Sequence, residues 1–429
     1  MLSFGSEPGK IPNGGIEMKK ITCIDVFAGG GGLSEGFHRA GYNIISHIEK
    51  DINAALTLKT RLSYQYLQEN NKTDLYIKYL KKEISRDKFY SFIPPEILDK
   101  VINEEISENT IDTIFSKIDK QLKGEKVDII IGGPPCQAYS LIGRARDPEG
   151  MINDKRNYLY KQYLKFLNKY RPKLFVFENV KGLLSAQKGE LFEQILEEMD
   201  ELGYTADHRV LNSYNFGVPQ KRERVIIIGW KKNKDFSYPE FEKNNIENNN
   251  INNLFIDLPK LKAGDFFEFG TFTKKNSLLE NLNIKNSDWK ILTQHIARPH
   301  NKNDLKIYEI AVQKLKNGKK LKYNDLPKNL RTQKNSNSFL DRFKVVDGNN
   351  VCHTMVAHIS KDGHYYIHPD LEQNRSISVR EAARIQTFPD DYYFESSRTS
   401  AFMQIGNAVP PLMAEKIANK LRGCLKIEI

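Results

Sequence analysis

Cysteine is scarce in this chain, and long apolar runs are missing. Four cysteines, Cys23, Cys136, Cys352 and Cys424, are scattered through 429 residues without paired metal-ligand spacing. That excludes a disulfide scaffold and points to a reducing, cytoplasmic compartment. No apolar stretch approaches the ~20 residues of a membrane-crossing helix. Residues 1–15 are rich in glycine and proline but lack the apolar core of an export signal, so residues 1–18 read as a loose leader. Acid is also short, with 54 Asp and Glu against 65 Lys and Arg, a net charge of +11. Such a surplus suits a polyanionic partner, because phosphate contacts release condensed counterions. A lysine-rich soluble surface would give the same sum.

The remaining composition is that of an ordinary soluble globular protein of two or three domains, with 39% hydrophobic and 28% charged residues. Residues 21–27 form a short β-branched run ending in a glycine cluster, so strand then turn. Ser34 can cap a helix that closes at Gly41, and residues 43–49 read as a second strand. Residues 127–131, 174–177 and 225–230 are apolar runs of the kind found in a buried parallel sheet. Between them, Leu159, Tyr163, Phe166 and Tyr170 recur at helical spacing, as do Leu191, Ile195, Met199 and Leu202. Strands alternating with helices predict a doubly wound, Rossmann-like α/β domain over residues 19–230. Within it, about 52–126 reads as a charged, helical insertion. Seven Asn in the ten positions 244–253 mark an exposed linker. An irregular second domain spans 231–375. From Ser378 a helix opens, and 376–429 is expected to return to the first domain.

Four constellations carry chemistry. The first is Asp25-Val-Phe-Ala-Gly29-Gly30-Gly31-Gly32, after a strand and before a helix, with Glu49 ending the next strand. Glycines let backbone approach a ligand closely, and an acid about 20 residues on can take ribose hydroxyls, so a nucleotide-type ligand follows. The strict dinucleotide pattern is not met, because Ser34 or Glu35 stands at its third glycine. The second is Gly132-Gly133-Pro134-Pro135-Cys136-Gln137, where two prolines fix the backbone before a thiol at a strand end. The third is Phe177-Glu178-Asn179-Val180, a carboxylate whose desolvation beside a strand favours its proton-donating form. The fourth is Gln220-Lys221-Arg222-Glu223-Arg224, in which Arg222 and Arg224 share one face of an extended chain. Taken singly, a geometric glycine turn, a buried thiol and an exposed charge run are the plainer readings.

In this order the four segments resemble the cytosine-5 DNA methyltransferase family. The resemblance continues through Arg380-Glu-Ala-Ala-Arg384-Ile-Gln-Thr-Phe-Pro389 and Gln404-Ile-Gly-Asn407-Ala-Val-Pro-Pro411. It implies a doubly wound S-adenosylmethionine-dependent fold with a smaller target-recognition domain. Asp25, Phe27, Ala28, Gly29, Gly31, Gly32, Glu49, Lys50, Pro134, Asn157, Leu159, Asn407 and Ala408 would then line the donor pocket, and Glu105 would meet the adenine amino group. Cys136 would be the nucleophile, Glu178 the acid at ring nitrogen 3, and Arg224 the partner of the carbonyl oxygen. Arg222 would brace the catalytic loop or contact phosphate. Gln137, Ser140, Arg144 and Thr354 would join it on DNA. The resemblance further implies double-stranded DNA as substrate, S-adenosyl-L-homocysteine as product, a monomer, and a prokaryotic modification enzyme paired with a restriction endonuclease. An RNA methyltransferase on the same scaffold and a catalytically dead DNA-binding homologue are the rivals. A zinc site on His353, His358, His364 and His368 has the wrong spacing, so no metal is expected and those histidines should lie on a hairpin facing DNA or solvent.

Overall fold

The computed structural model describes residues 20–135, 159–244, 246–286, 288–331 and 339–426. Seven strands form the central sheet: β1 (Thr22–Val26), β2 (Asn43–Ile48), β3 (Val101–Ile102), β4 (Ile129–Gly132), β5 (Leu174–Asn179), β6 (Tyr204–Asn212) and β7 (Glu223–Lys231). Their order is β3-β2-β1-β4-β5-β7-β6. β1 to β5 run parallel, whereas β7 is antiparallel to both β5 and β6. Side chains alternate between two buried faces, which explains why the central strands β4, β5 and β7 are mostly apolar. Cys23, Ile129, Ile131, Val176, Ile226 and Ile228 feed one core, and Ile24, Val26, Ile130, Phe175, Phe177 and Ile227 feed the other. The chain leaves β1 for β2 on one side and reaches β4 on the other, so a crevice opens over their carboxyl ends.

Three sequence expectations change. The stretch 52–126 is no detached insertion, because it supplies edge strand β3 and the core helix Ile111–Leu122. Only the short helices Thr73–Leu80, Arg86–Tyr90 and Pro95–Leu98 stand outside the sheet layers. There Tyr76, Leu80, Phe89 and Ile93 share a cluster with Tyr64, Leu67 and Trp289. Trp289 lies just before β9 (Ile291–Ile296), which pairs antiparallel with β8 (Phe266–Thr271), so these helices pack against the start of that two-stranded ribbon. The asparagine-rich segment is not a bare linker either. The Asn250 side chain caps the short helix Ile251–Phe255, burying Ile251 and Leu254. Finally, the helix expected to start at Ser34 is Gly32–Arg39, preceded by Gly31 in the left-handed region at φ 79°.

The C-terminal helix Pro411–Lys426 packs on Gly32–Arg39 so closely that a Cβ at Gly36 would lie 2.4 Å from the Cβ of Ala414. Ahead of it, helix Val379–Ile385 opens with a capping box of Ser378 and Glu381. Buried arginines of this helix and of the segment just before it anchor it through ion pairs. Arg375 makes two 2.7 Å bonds to Glu381, and Arg384 spans Asp257 at 2.6 Å and Asp390 at 2.8 Å. Among the described residues no helix is long and apolar enough to cross a membrane.

A similar ion cluster secures the glycine loop. Glu35 accepts from Arg61 at 2.6 and 2.8 Å and from Arg39 at 3.0 Å. Burial alone would raise its carboxyl, but Arg61 and Arg39 reverse that and bring it down to about 2. A depressed folded pKa gives stability that is complete above the unfolded value of about 4.3 and fades as pH falls toward 2. That loss is on the order of 3 kcal/mol. Denaturant midpoints measured from pH 5 to pH 2 should therefore fall, and Glu35→Gln should flatten part of the fall. Equal slopes in the two proteins would exclude this role.

Candidate active site

The crevice is built first by the turn after β1. Phe27, Gly29 and Gly31 all have positive φ, at 60°, 56° and 79°, which turns the chain sharply over the strand end. Among the described residues, a Cβ at Gly29 would meet nothing within 4 Å, so they leave open space beside this backbone. The Gly29 amide donates to Glu49 Oε2 at 2.7 Å, and the Asp51 amide donates to Glu49 Oε1 at 2.7 Å. Burial pushes the Glu49 carboxyl up, against the pull of these two amides. Asn103, just past β3, holds the carbonyls of Glu49 at 2.9 Å and Lys50 at 3.1 Å. Lys50 also reaches Glu105 at 3.2 Å, with both side chains exposed. Asp25 and Ala28 are buried. Asp25 pairs with His47 of β2 at 3.3 Å, a partner that no motif announces, while its Oδ1 has no hydrogen-bond partner.

The second wall is the end of β4. Gly132 is required there, since a Cβ would lie 2.0 Å from the carbonyl oxygen of Val26. The buried Pro134 offers its carbonyl to the Asn179 amide at 3.2 Å, so the turn leading to Cys136 is tied to the end of β5. Cys136, Gln137, Ser140, Arg144 and Asn157 lie outside the described residues, as does the loop 138–156. Glu178, next to Asn179, pairs with Arg224 of β7 at 2.9 Å, with side chains 14% and 11% exposed. The desolvation expected of Glu178 is thus offset by a cation. A Cβ at Gly133 would lie 2.7 Å from Glu178 Oε2, so the carboxylate stands directly beside the Pro-Pro turn.

Arg222 is placed differently from Arg224. It is fully buried, and its guanidinium donates to the carbonyls of Met355, Gly406 at 3.3 Å and Asn407 at 3.4 Å. Of the two roles expected for Arg222, phosphate contact or bracing, its burial on backbone carbonyls is the geometry of a brace. Thr354 is half-buried and donates to the Lys221 carbonyl at 2.7 Å. Gln220 accepts from the Met355 amide at 2.6 Å and donates to Gln386 at 2.8 Å, and Gln386 in turn holds the Ala408 carbonyl at 3.3 Å. One polar junction therefore joins the β7 approach, the Thr354 turn and the exposed Asn407. Leu159 begins the helix Leu159–Tyr170 and is half-buried.

The histidines expected on an exposed hairpin mostly are not exposed. His353 stacks on Tyr366 and bonds the Tyr365 carbonyl at 2.7 Å, and His368 is buried beside Glu381. His364 meets Tyr308 at 2.7 Å. A cavity of about 190 Å³ lined by His38, His47, Arg61 and Lys100 lies between Gly32–Arg39 and Ile52–Glu69. It is separate from the wall formed by Pro134, Glu178 and Arg224.

A sheet in this order, with a glycine turn and an acid at the ends of β1 and β2, is a doubly wound fold with a crevice for a nucleotide-type ligand. Two solved structures share the fold. One is described as a DNA modification methyltransferase encoded within an E. coli prophage, with TM-score 0.61 and 22% identity over 95% of this chain and 100% of that one. The other is the Entamoeba histolytica methyltransferase EhMeth, with TM-score 0.54 and 14% identity over 95% and 99%. The model of the C-5 cytosine-specific DNA methylases matches residues 21–94 and 88–423, and the chain belongs to that family. It is an S-adenosylmethionine-dependent DNA (cytosine-5-)-methyltransferase. The type II methyltransferase M.Bpa9945I of Bacillus paralicheniformis is 41% identical over 94% of this chain and 98% of its own length. M1.HphI of Haemophilus parahaemolyticus, also a type II methyltransferase, is 30% identical over 94% and 87%.

Proposed function

We propose that this chain methylates carbon 5 of a cytosine flipped out of duplex DNA at a defined sequence, with Cys136 as nucleophile. The observation that carries this reading is the Glu178–Arg224 pair beside the Pro134 turn, on the same sheet edge as the glycine loop. The donor's place fits the residues present: open space at Gly29, a carboxylate at Glu49, and the unsatisfied Asp25 Oδ1 below. Phe27, Glu49, Lys50, Glu105, Leu159 and Asn407 would hold S-adenosylmethionine. When bound it supplies an electrophilic methyl group and leaves as S-adenosyl-L-homocysteine.

The residues must make a poor carbon nucleophile reactive. The Cys136 thiolate bonds to ring carbon 6, and the electrons of the 5,6 double bond move toward the ring nitrogen and carbonyl, leaving carbon 5 electron-rich. Glu178 donates a proton or hydrogen bond at nitrogen 3 as negative charge develops, and Arg224 stabilises the carbonyl oxygen. After methylation a water-borne base removes the carbon 5 proton, the double bond re-forms and the sulfur leaves. Extruding the base costs a few kcal/mol, which the basic surplus helps to offset.

The naming of its relatives as type II methyltransferases supports a role in restriction-modification, protecting host DNA from a nuclease that cuts the same sequence; in this reading the enzyme works in the cytoplasm as a monomer. Bisulfite sequencing of DNA from cells expressing the chain should show complete conversion to 5-methylcytosine at one short motif. Unmodified DNA, or faster methylation of transfer RNA than of duplex DNA side by side, would overturn the assignment.

A further inference from the structure

Two guanidiniums lie together at the start of helix Arg398–Asn407, outside the machinery described above. Arg298 follows β9 and donates to the carbonyls of Ile359 at 3.1 Å, Ser360 at 2.9 Å and Lys361 at 2.8 Å, with its plane 5.9 Å from the Phe402 ring. Arg398 donates to the carbonyl of Ala297, the residue before Arg298, at 3.4 Å. Among the described residues neither has a carboxylate at ion-pair distance, in contrast to the buried arginines Arg375 and Arg384. The Nε of each is buried and lacks a hydrogen-bond partner. Asp362 exerts some attraction on Arg298, but its carboxylate accepts the His364 amide at 3.0 Å.

Two like charges held side by side, partly desolvated and without an acid, are unfavourable until an anion joins them. Burial lowers the pKa of Arg298, and the neighbouring Arg398 lowers it further. The fork of a guanidinium fits tetrahedral oxyanions. The location selects which oxyanion. Thr399, Met403 and Asn407 form the exposed face of this helix, with Met403 45% exposed. Its far end, Asn407, is held by Arg222, two residues from Arg224. The arginine pair therefore lies one helix length, about 15 Å for ten residues, from the end that meets Arg222, joined to it by this exposed face and within the span of a duplex bound over the crevice.

We propose that Arg298 and Arg398 jointly hold one backbone phosphodiester of the DNA substrate, a site that positions the duplex without reading its sequence. This rests on DNA being the substrate, as the family assignment has it. The test is equilibrium binding of duplex DNA across a range of salt for the wild type, Arg398→Gln and Arg398→Lys. Arg398→Gln should weaken binding equally for any sequence and reduce the slope of log affinity against log salt by about 1. Arg398→Lys should keep most of the slope, and binding of S-adenosylmethionine should be unchanged in both. An unchanged slope in Arg398→Gln, with DNA still bound, would remove the phosphate contact while leaving the substrate intact. A wild type that binds no duplex at any salt would instead remove the substrate assignment and this site with it. Inorganic phosphate provides the third arm. If it stabilises the wild type but not Arg398→Gln, while DNA slopes agree, the pair serves free phosphate and the DNA assignment fails.

Discussion

Cys136→Ser should lose methyl transfer by at least about 10³-fold, the scale on which removal of a nucleophile acts, while duplex binding survives within a few-fold. A serine hydroxyl is far less acidic than a thiol, so no useful fraction of anion forms, and its oxygen is the weaker nucleophile toward ring carbon 6. The backbone that aims this residue would be untouched. Gly132 and Pro134 hold the turn against Val26 and Asn179 whichever side chain follows. The rate is read from labelled methyl incorporation, and binding from fluorescence anisotropy. A duplex carrying 5-fluorocytosine at the target position separates mechanism from simple inactivity, because fluorine at carbon 5 blocks the final proton removal. The wild type should then form a stable adduct that Cys136→Ser does not. Retained activity in the variant, or an adduct on another residue, would dismiss the covalent route through Cys136.

Glu178→Gln is the second large effect, a fall of about 10²–10⁴-fold in kcat, typical of removing a positioned general acid. Glutamine fills the same volume and can still donate a hydrogen bond, but it cannot deliver a proton. It also leaves Arg224, only 11% exposed, without the carboxylate that lies 2.9 Å from it. If the pair acts on the reacting ring, as proposed, KM for DNA should move little while kcat collapses. A kcat within a few-fold of wild type would place the acid elsewhere. A change confined to KM would make Glu178 a substrate-binding residue.

Much of this site is legible in the amino-acid sequence, because its motifs are local. A β-branched run followed by glycines encodes strand then turn, and Pro-Pro before Cys136 fixes backbone direction whatever surrounds it. Glu49 at a strand end and Glu178 after an apolar run are placed for the same reason. β3 leaves no such trace, because two residues, Val101 and Ile102, carry no period, and their strand character comes only from pairing with His47 and Ile48. β6 is hidden by its mixed burial, with Thr205, Arg209 and Val210 exposed, so no apolar run announces it.

Residue order alone specifies the strand-end chemistry: which turns carry glycine or proline, and which acid, thiol and arginine stand beside them. Where each arginine sits is decided by the folded chain. Arg222 and Arg224 are two residues apart in one motif, yet one is buried on carbonyls supplied 133 and 184 residues away, and the other meets a carboxylate across the sheet. The same holds for the direction of β7, for the helices packed against Trp289, and for the pair Arg298 and Arg398, which among the described residues has no carboxylate at ion-pair distance. Propensity and spacing act over a few residues, whereas burial, ion pairing and strand direction depend on partners that folding alone brings together.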